Sequence, residues 1–135
     1  MPSRSLVTAE KDQDYRCTDD GSLAHLLDEP QVVAYTEKEV DTKAQVIKSA
    51  EPFYTREARN VGVQGNVVLR LLLLDDGKLD RIRVVRRLPY GLTESAIRAA
   101  CESSFKPAIK DGKPVAHWKV IEYGFRLANS SILGP

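Results

Sequence analysis

The chain has no run of about 18 apolar residues, so nothing in it reads as a bilayer-spanning helix. Its first residues, MPSRSLVTAEKDQDYRC, carry no apolar stretch of the kind that centres a secretory leader. Two readings stand at this point: a cytosolic protein, or a chain whose signal or anchor lies upstream. Charge of one sign is also missing. Twenty basic against nineteen acidic side chains leave +1, which gives no global attraction to nucleic acid or to an anionic membrane. There are two histidines, His25 in a polar arm and His117 near the start of the last strand, and neither has a carboxylate or cysteine at metal-ligand spacing. Each reads as a surface histidine. Asp75, Asp76 and Asp80 suit a turn better than a metal loop. No glycine-rich phosphate loop, nucleophile elbow or paired catalytic acid is visible, so the expectation is a non-enzyme without a cofactor. The two cysteines, Cys17 and Cys101, have no CxxC spacing. The preferred reading is two separate thiols, one on a buried helix face and one in the arm. A disulfide is the alternative, open only in an oxidising compartment.

What is present centres on residues 65–77, GNVVLRLLLLDDG, the most apolar run in the chain. Val67, Leu69, Leu71 and Leu73 alternate with Val68, Leu72 and Leu74, so both faces of a strand here are greasy. A strand of that kind is central in its sheet. Asp75-Asp76-Gly77 supplies a hairpin turn. Residues 78–87 alternate more loosely, with Leu79, Ile82 and Val84 among charges, and form the partner strand. Upstream, residues 54–61 read as a short helix with Thr55 as N-cap and Gly62 as its stop. Downstream, Thr93 is placed to cap a second helix whose stripe is Ala96, Ile97, Ala100, Cys101, Ser104 and Phe105, ended by Pro107. Residues 110–114 make a turn, and residues 115–127 form the last strand. In the polar segment 1–40, residues 22–27 suggest a short helix and residues 31–35 have β character. Residues 37–43 read as solvated linker, and residues 44–48 as a short strand.

The expected fold class is α+β: a three-stranded antiparallel sheet in the order 2-1-3, with two helices on one face. An apolar fraction of 42% is enough for one such core. The expected organisation is an arm or linker over residues 1–40, the domain over 41–128 and a tail over 129–135. The third strand would be an exposed edge unless residues 44–47, the tail or a second copy covers it. An open edge is a template for an incoming strand. Two other surfaces compete with it. The open sheet face, with Val68, Leu72 and Trp118, could be an apolar patch for a homodimer. Arg81, Arg83, Arg86 and Arg87 could hold an anionic ligand, although a solvated strand guarded by charge is the preferred reading, without nucleic acid as partner.

An ordered set of short motifs then points to a family. EPFYTREAR, GNVVLRLLLLDDG, IRVVRRLPYGLTESAI, FKPAIKDGKPV and YGFRL follow one another within residues 51–127. Together they resemble the C-terminal domain of the TonB family. The resemblance implies a periplasmic domain with helices on one face of a three-stranded sheet. It further implies that the TonB box, a short peptide of TonB-dependent outer-membrane transporters, adds as a strand to the third strand. The pairing positions carry over to Trp118, Lys119, Val120, Ile121, Glu122, Tyr123, Gly124, Phe125 and Arg126. A second contact with the transporter carries over to Glu51, Pro52 and Tyr54. The resemblance also implies an inner-membrane anchor, motor proteins and a proline-rich linker. Neither anchor nor linker stands in this sequence, as expected of a piece of a longer protein or a divergent member. Thr55 replaces the family's second motif proline, and Ser103-Ser104 replace its Trp-Arg.

Overall fold

A computed structural model describes residues 14–18, 23–26 and 28–127. The leucine-rich run forms β4 (Gly65–Leu73), and residues beyond the turn form β5 (Leu79–Arg86). The last long strand, β9 (His117–Phe125), returns antiparallel along the other side of β4. This order of second, first and third strand is the expected one. The sheet is nonetheless five-stranded, because β1 (Asp14–Cys17) pairs with β5 and β2 (Leu23–Leu26) pairs with β1, giving β2-β1-β5-β4-β9. Residues 23–26 are thus a strand and not the expected helix. Pairing with β1, from Cys17↔Leu23 to Asp14↔Leu26, overrides the weak local preference.

Two helices lie on one face. Helix α1 (Arg56–Val61) is capped as expected: the Thr55 side chain accepts from the Ala58 amide, and Gly62 closes the helix in the left-handed conformation at φ 88°. Helix α2 (Leu92–Cys101) departs from expectation at both ends. Gly91 is its N-cap, and the Thr93 hydroxyl instead accepts from the Leu88 amide and donates to the Leu88 carbonyl, fastening the loop ahead of the helix. The helix stops at Cys101. Residues Ser104–Lys106 become β6, which pairs with β3 (Gln45–Lys48). Pro107 accounts for part of this, since the residue before a proline is pushed out of the helical region. Phe105 still reaches the core, but from a strand. A small hairpin of β7 (Ala108–Lys110) and β8 (Lys113–Val115) leads into β9.

The core lies between the helices and one sheet face. Val67, Leu69, Leu71, Leu73, Ile82, Tyr123 and Phe125 pack against Ala58, Leu92, Ala96, Ile97, Ala99 and Ala100. Each buried leucine stabilises by roughly 1.5–3 kcal/mol relative to exposure. Leu79 and Ile82 both join this core although they stand three positions apart, an odd spacing that puts residues of a regular strand on opposite faces. A register shift between Leu72 and Leu73 absorbs the extra residue. Gly77 closes the hairpin at φ 88°, where a Cβ would lie 2.5 Å from the Phe105 carbonyl oxygen. Only glycine suits that position.

The second sheet face is not an apolar patch. Leu72 is fully buried, and Trp118 is half-buried with the guanidinium groups of Arg70 and Arg83 each 4.8 Å from its ring centre. Of the four arginines expected to be solvated, Arg81 and Arg83 are sequestered by the N-terminal strand, whereas Arg86 and Arg87 are exposed. Asp14 on β1 receives Arg81 at 2.8 Å and Arg83 at 2.8 Å, and Arg81 also donates to the Asp28 carbonyl at 2.7 Å. Arg81 is almost fully buried. Its anion is therefore internal. Burial acts to raise the Asp14 pKa, but hydrogen bonds from Arg83 and Arg81 overcome it and hold the carboxyl below its ordinary value. On the core side of β1, Cys17 is disulfide-bonded to Cys101, which corrects the reading of two separate thiols. Their Cα atoms are 5.8 Å apart, because β1 docks beside the end of α2.

Candidate functional site: the outer edge of β9

The sequence HWKVIEYGF is rich in β-branched and aromatic residues and pairs with β4 in unbroken register from Gly65↔Phe125 to Leu73↔His117. Among the described residues nothing in the five-stranded order stands beyond it, so β9 is an edge strand there. Backbone groups of alternate residues face outward. The amide of Trp118 donates outward to the Tyr35 carbonyl at 2.9 Å, and that of Val120 to a Glu37 carboxylate oxygen at 3.2 Å. By alternation, Glu122 and Gly124 also direct their backbone groups outward. Among the described residues no hydrogen bond to those two amides is found.

The expected site residues therefore separate into two groups. Trp118, Val120, Glu122 and Gly124 present backbone to the edge. Lys119, Ile121, Tyr123 and Phe125 turn theirs to β4, and the last three send their side chains to the core. Val120 is exposed. The Glu122 carboxylate accepts from Asn66 Nδ2, and Arg126 donates to the Gly65 carbonyl at 2.9 Å and to Asn66 Oδ1 at 3.0 Å. These contacts tie the end of β9 to the start of β4. Tyr54 is a packing residue: its hydroxyl donates to the Val63 carbonyl, its ring meets Phe125 edge-on at 5.5 Å, and Arg59 lies 5.1 Å from the ring centre. Glu51 is exposed and lines a cleft of about 290 Å³ with Phe53, Arg98 and Glu102, whereas Pro52 is half-buried.

Sequence reasoning missed two features of this region. Residues 35–37, expected to end a β-like stretch and open a linker, lie on the edge itself. Tyr35 forms a parallel bridge with His117. His117, expected on the surface, is fully buried, with Nδ1 3.2 Å from the Tyr35 carbonyl oxygen. Among the described residues its Nε2 meets no polar partner. Burial lowers its pKa, against the raising effects of the Tyr35 carbonyl and Glu37. The signal available was the period of two in β9, which puts His117 on the same side as Ile121, Tyr123 and Phe125. Among the described residues no group of three His, Cys, Asp or Glu side chains could hold a metal ion, and no helix is long and apolar enough to cross a membrane.

The class defined by this fold and edge is the small two-layer α+β domain, helices on one side of an antiparallel sheet and a partly open strand at its rim. More particularly, the chain belongs to the family described as the Gram-negative bacterial TonB protein C-terminal, which matches residues 50–127. It is 34% identical over 89 residues to Protein TonB of Vibrio cholerae serotype O1, a match covering 65% of this chain and 36% of that protein. It is 26% identical over 88 residues to Protein TonB of Pseudomonas aeruginosa, covering 64% and 26% respectively. The chain thus matches only about a quarter to a third of the length of these relatives. Among solved structures, the solution NMR structure of the Pseudomonas aeruginosa TonB CTD is similar with a TM-score of 0.52 and 24% identity, over 68% of this chain and 92% of that one. That likeness carries the fold. The strands β1, β2 and β3 all precede the family match.

Proposed function

We propose that this chain is a noncatalytic periplasmic interaction domain that captures an extended peptide of a TonB-dependent outer-membrane transporter by strand addition to β9. In this reading the peptide is the TonB box, the setting is energy-coupled transport, and a further part of the protein links the domain to an inner-membrane anchor and its motor. The observation that carries the reading is the outward backbone of Glu122 and Gly124, which meets no hydrogen-bond partner among the described residues. Family membership and the two relatives named Protein TonB support it. The disulfide suits an oxidising compartment such as the periplasm. Glu51 and Pro52 provide the second contact, with Tyr54 holding their loop against Phe125.

Each added backbone bond contributes only ~0.5–1.5 kcal/mol, so a peptide of five or six residues binds weakly to moderately unless side chains add to it. The exposed Val120 side chain is one such addition. The test is a titration of the chain with an extended transporter-type peptide, followed by amide chemical shifts, on wild type and on Glu122→Pro. Proline removes one outward amide and the Glu122 side-chain contact to Asn66, but no backbone bond of the β4 ladder, a change that edge strands tolerate. Binding should weaken several-fold in that variant. Equal affinity in the two proteins excludes strand addition at this edge. A chain that dimerises and ignores the peptide makes β9 an assembly edge instead.

A further inference from the structure

Half of the β9 edge is already occupied, and the occupant is this chain. The Tyr35 amide donates to the Ala116 carbonyl at 3.0 Å, and the Trp118 amide donates back to the Tyr35 carbonyl at 2.9 Å. This is one rung of a parallel ladder. The next outward amide, on Val120, is met by the carboxylate of Glu37 at 3.2 Å, whose other oxygen lies 3.8 Å from Lys43 Nζ. A side-chain oxygen stands here where the carbonyl of a continuing strand would be. Pairing stops because the backbone turns away: the Thr36 amide donates to Glu39 Oε1 at 2.8 Å, and the Glu39 amide to the Thr36 carbonyl at 3.1 Å. The turn is held from outside by Lys110, whose Nζ donates to the Glu39 carbonyl at 3.1 Å and lies 5.5 Å from the centre of the Tyr35 ring. Downstream, the chain is pinned again where Thr42 and Ile109 exchange backbone bonds of 3.1 and 2.9 Å.

We infer that residues 35–37 are an internal strap that mimics a bound strand over the first half of β9, and that an extended partner adds along the full edge only by displacing them. This regulation rests on the strand-addition reading of β9. Three features argue for a displaceable strap and against a permanent strand. The pairing is a single rung. The bond to Val120 comes from a half-buried side chain and not from backbone, and the groove beside it, about 350 Å³ between Lys38, Arg70, Trp118 and Val120, is open. The groups that the strap satisfies, the Trp118 and Val120 amides, are those an incoming backbone would satisfy equally well. A partner therefore gains little net hydrogen bonding over residues 118–120, and its apparent affinity is reduced by the fraction of time that the strap is closed.

The test uses the whole chain and two variants, Glu37→Ala and Tyr35→Pro. The first removes the acceptor for Val120, and the second removes the donor to Ala116. Hydrogen exchange by NMR reads the strap directly. The Trp118 and Val120 amides should exchange about 2- to 12-fold faster in the variants, the range that the loss of one such bond corresponds to. Lys119 and Ile121, which pair with β4, serve as controls and should not change. The probe is the peptide VVAYTEK, residues 32–38 of this chain, added in trans. It should bind the variants more tightly than wild type by a similar factor. Unchanged exchange at Trp118 and Val120 overturns the strap. Equal peptide affinity for wild type and variants also overturns it, while leaving strand addition standing. Faster exchange with no binding by any of the three proteins leaves the strap in place and removes strand addition as its purpose.

Discussion

Removing the Cys17–Cys101 bridge should lower stability more than any loss of contacts at that point would suggest. The two residues are 84 positions apart, and they join a strand of the N-terminal hairpin to the end of α2. In the chain-entropy account, a crosslink closing a loop of this size restricts the unfolded chain by about 4.5 kcal/mol. The folded state should survive the loss. Tyr15 still pairs with Ile82, and Asp14 still holds Arg81 and Arg83. Measured losses generally fall short of the entropic figure, so the double variant Cys17→Ser, Cys101→Ser should lose about 2–4.5 kcal/mol. With a urea dependence of 1–3 kcal/mol per molar, the midpoint should fall by roughly 1–4 M. The assay is equilibrium urea unfolding of oxidised wild type, reduced wild type and the double variant, with thiol labelling to confirm the redox state. The reduced protein and the variant should coincide. Peptide binding at β9 should persist below the transition, since the bridge lies at the far side of the sheet from that edge. A double variant with an unchanged midpoint and slope would refute the reasoning.

Asp14→Ala should be among the costliest single changes, about 3–5 kcal/mol, because it leaves the almost fully buried Arg81 without its main carboxylate partner. Thermal unfolding checks this, and a loss below 1 kcal/mol would mean that Asp28 alone satisfies Arg81. Gly77→Ala should cost more than about 1 kcal/mol, since the new Cβ would meet backbone at Phe105 in a conformation disfavoured for other residues. Acid should weaken the fold in two stages. The pKa of His117 is lowered in the folded state, so below its ordinary 6.5 the unfolded chain takes up a proton that the folded chain refuses. Stability then falls with pH by at most about 1.4 kcal/mol per unit, and His117→Gln should flatten that slope between pH 7 and 5. The pKa of Asp14 is also lowered, so its contribution is complete above 3.8 and is lost as pH falls below that value.

The central strands were legible in the sequence because burial on both faces leaves a plain pattern. Residues 67–74 could be nothing but an inner strand, and the Asp-Gly turn fixed its hairpin partner. The Thr55–Gly62 helix was legible for the same reason, since cap and stop stand next to a short helical run. What was missed depended on distant partners. Leu23–Leu26 has no strong strand signal and becomes a strand by pairing with β1. Ser104–Lys106 continues the helical stripe of α2 in sequence, but β3 draws it into a ladder. Arg81 and Arg83 look like surface charges until Asp14, 67 and 69 residues away, is brought beside them. Within the candidate site, the edge strand and its alternating faces could be read from residues 117–125. The strap at Tyr35 and Glu37 could not, because its bonds to Ala116 and Val120 use backbone groups and one surface carboxylate, which leave no periodic trace.

The most direct test of the central claim is residue-resolved: amide exchange along β9 in the free chain and in the presence of an excess of an extended transporter-type peptide. The account predicts that the Glu122 and Gly124 amides exchange quickly in the free chain and become protected when the peptide is added, with Lys119, Ile121 and Tyr123 protected throughout. Peptide binding that leaves Glu122 and Gly124 unprotected, or shifts concentrated elsewhere on the domain, would contradict strand addition at this edge.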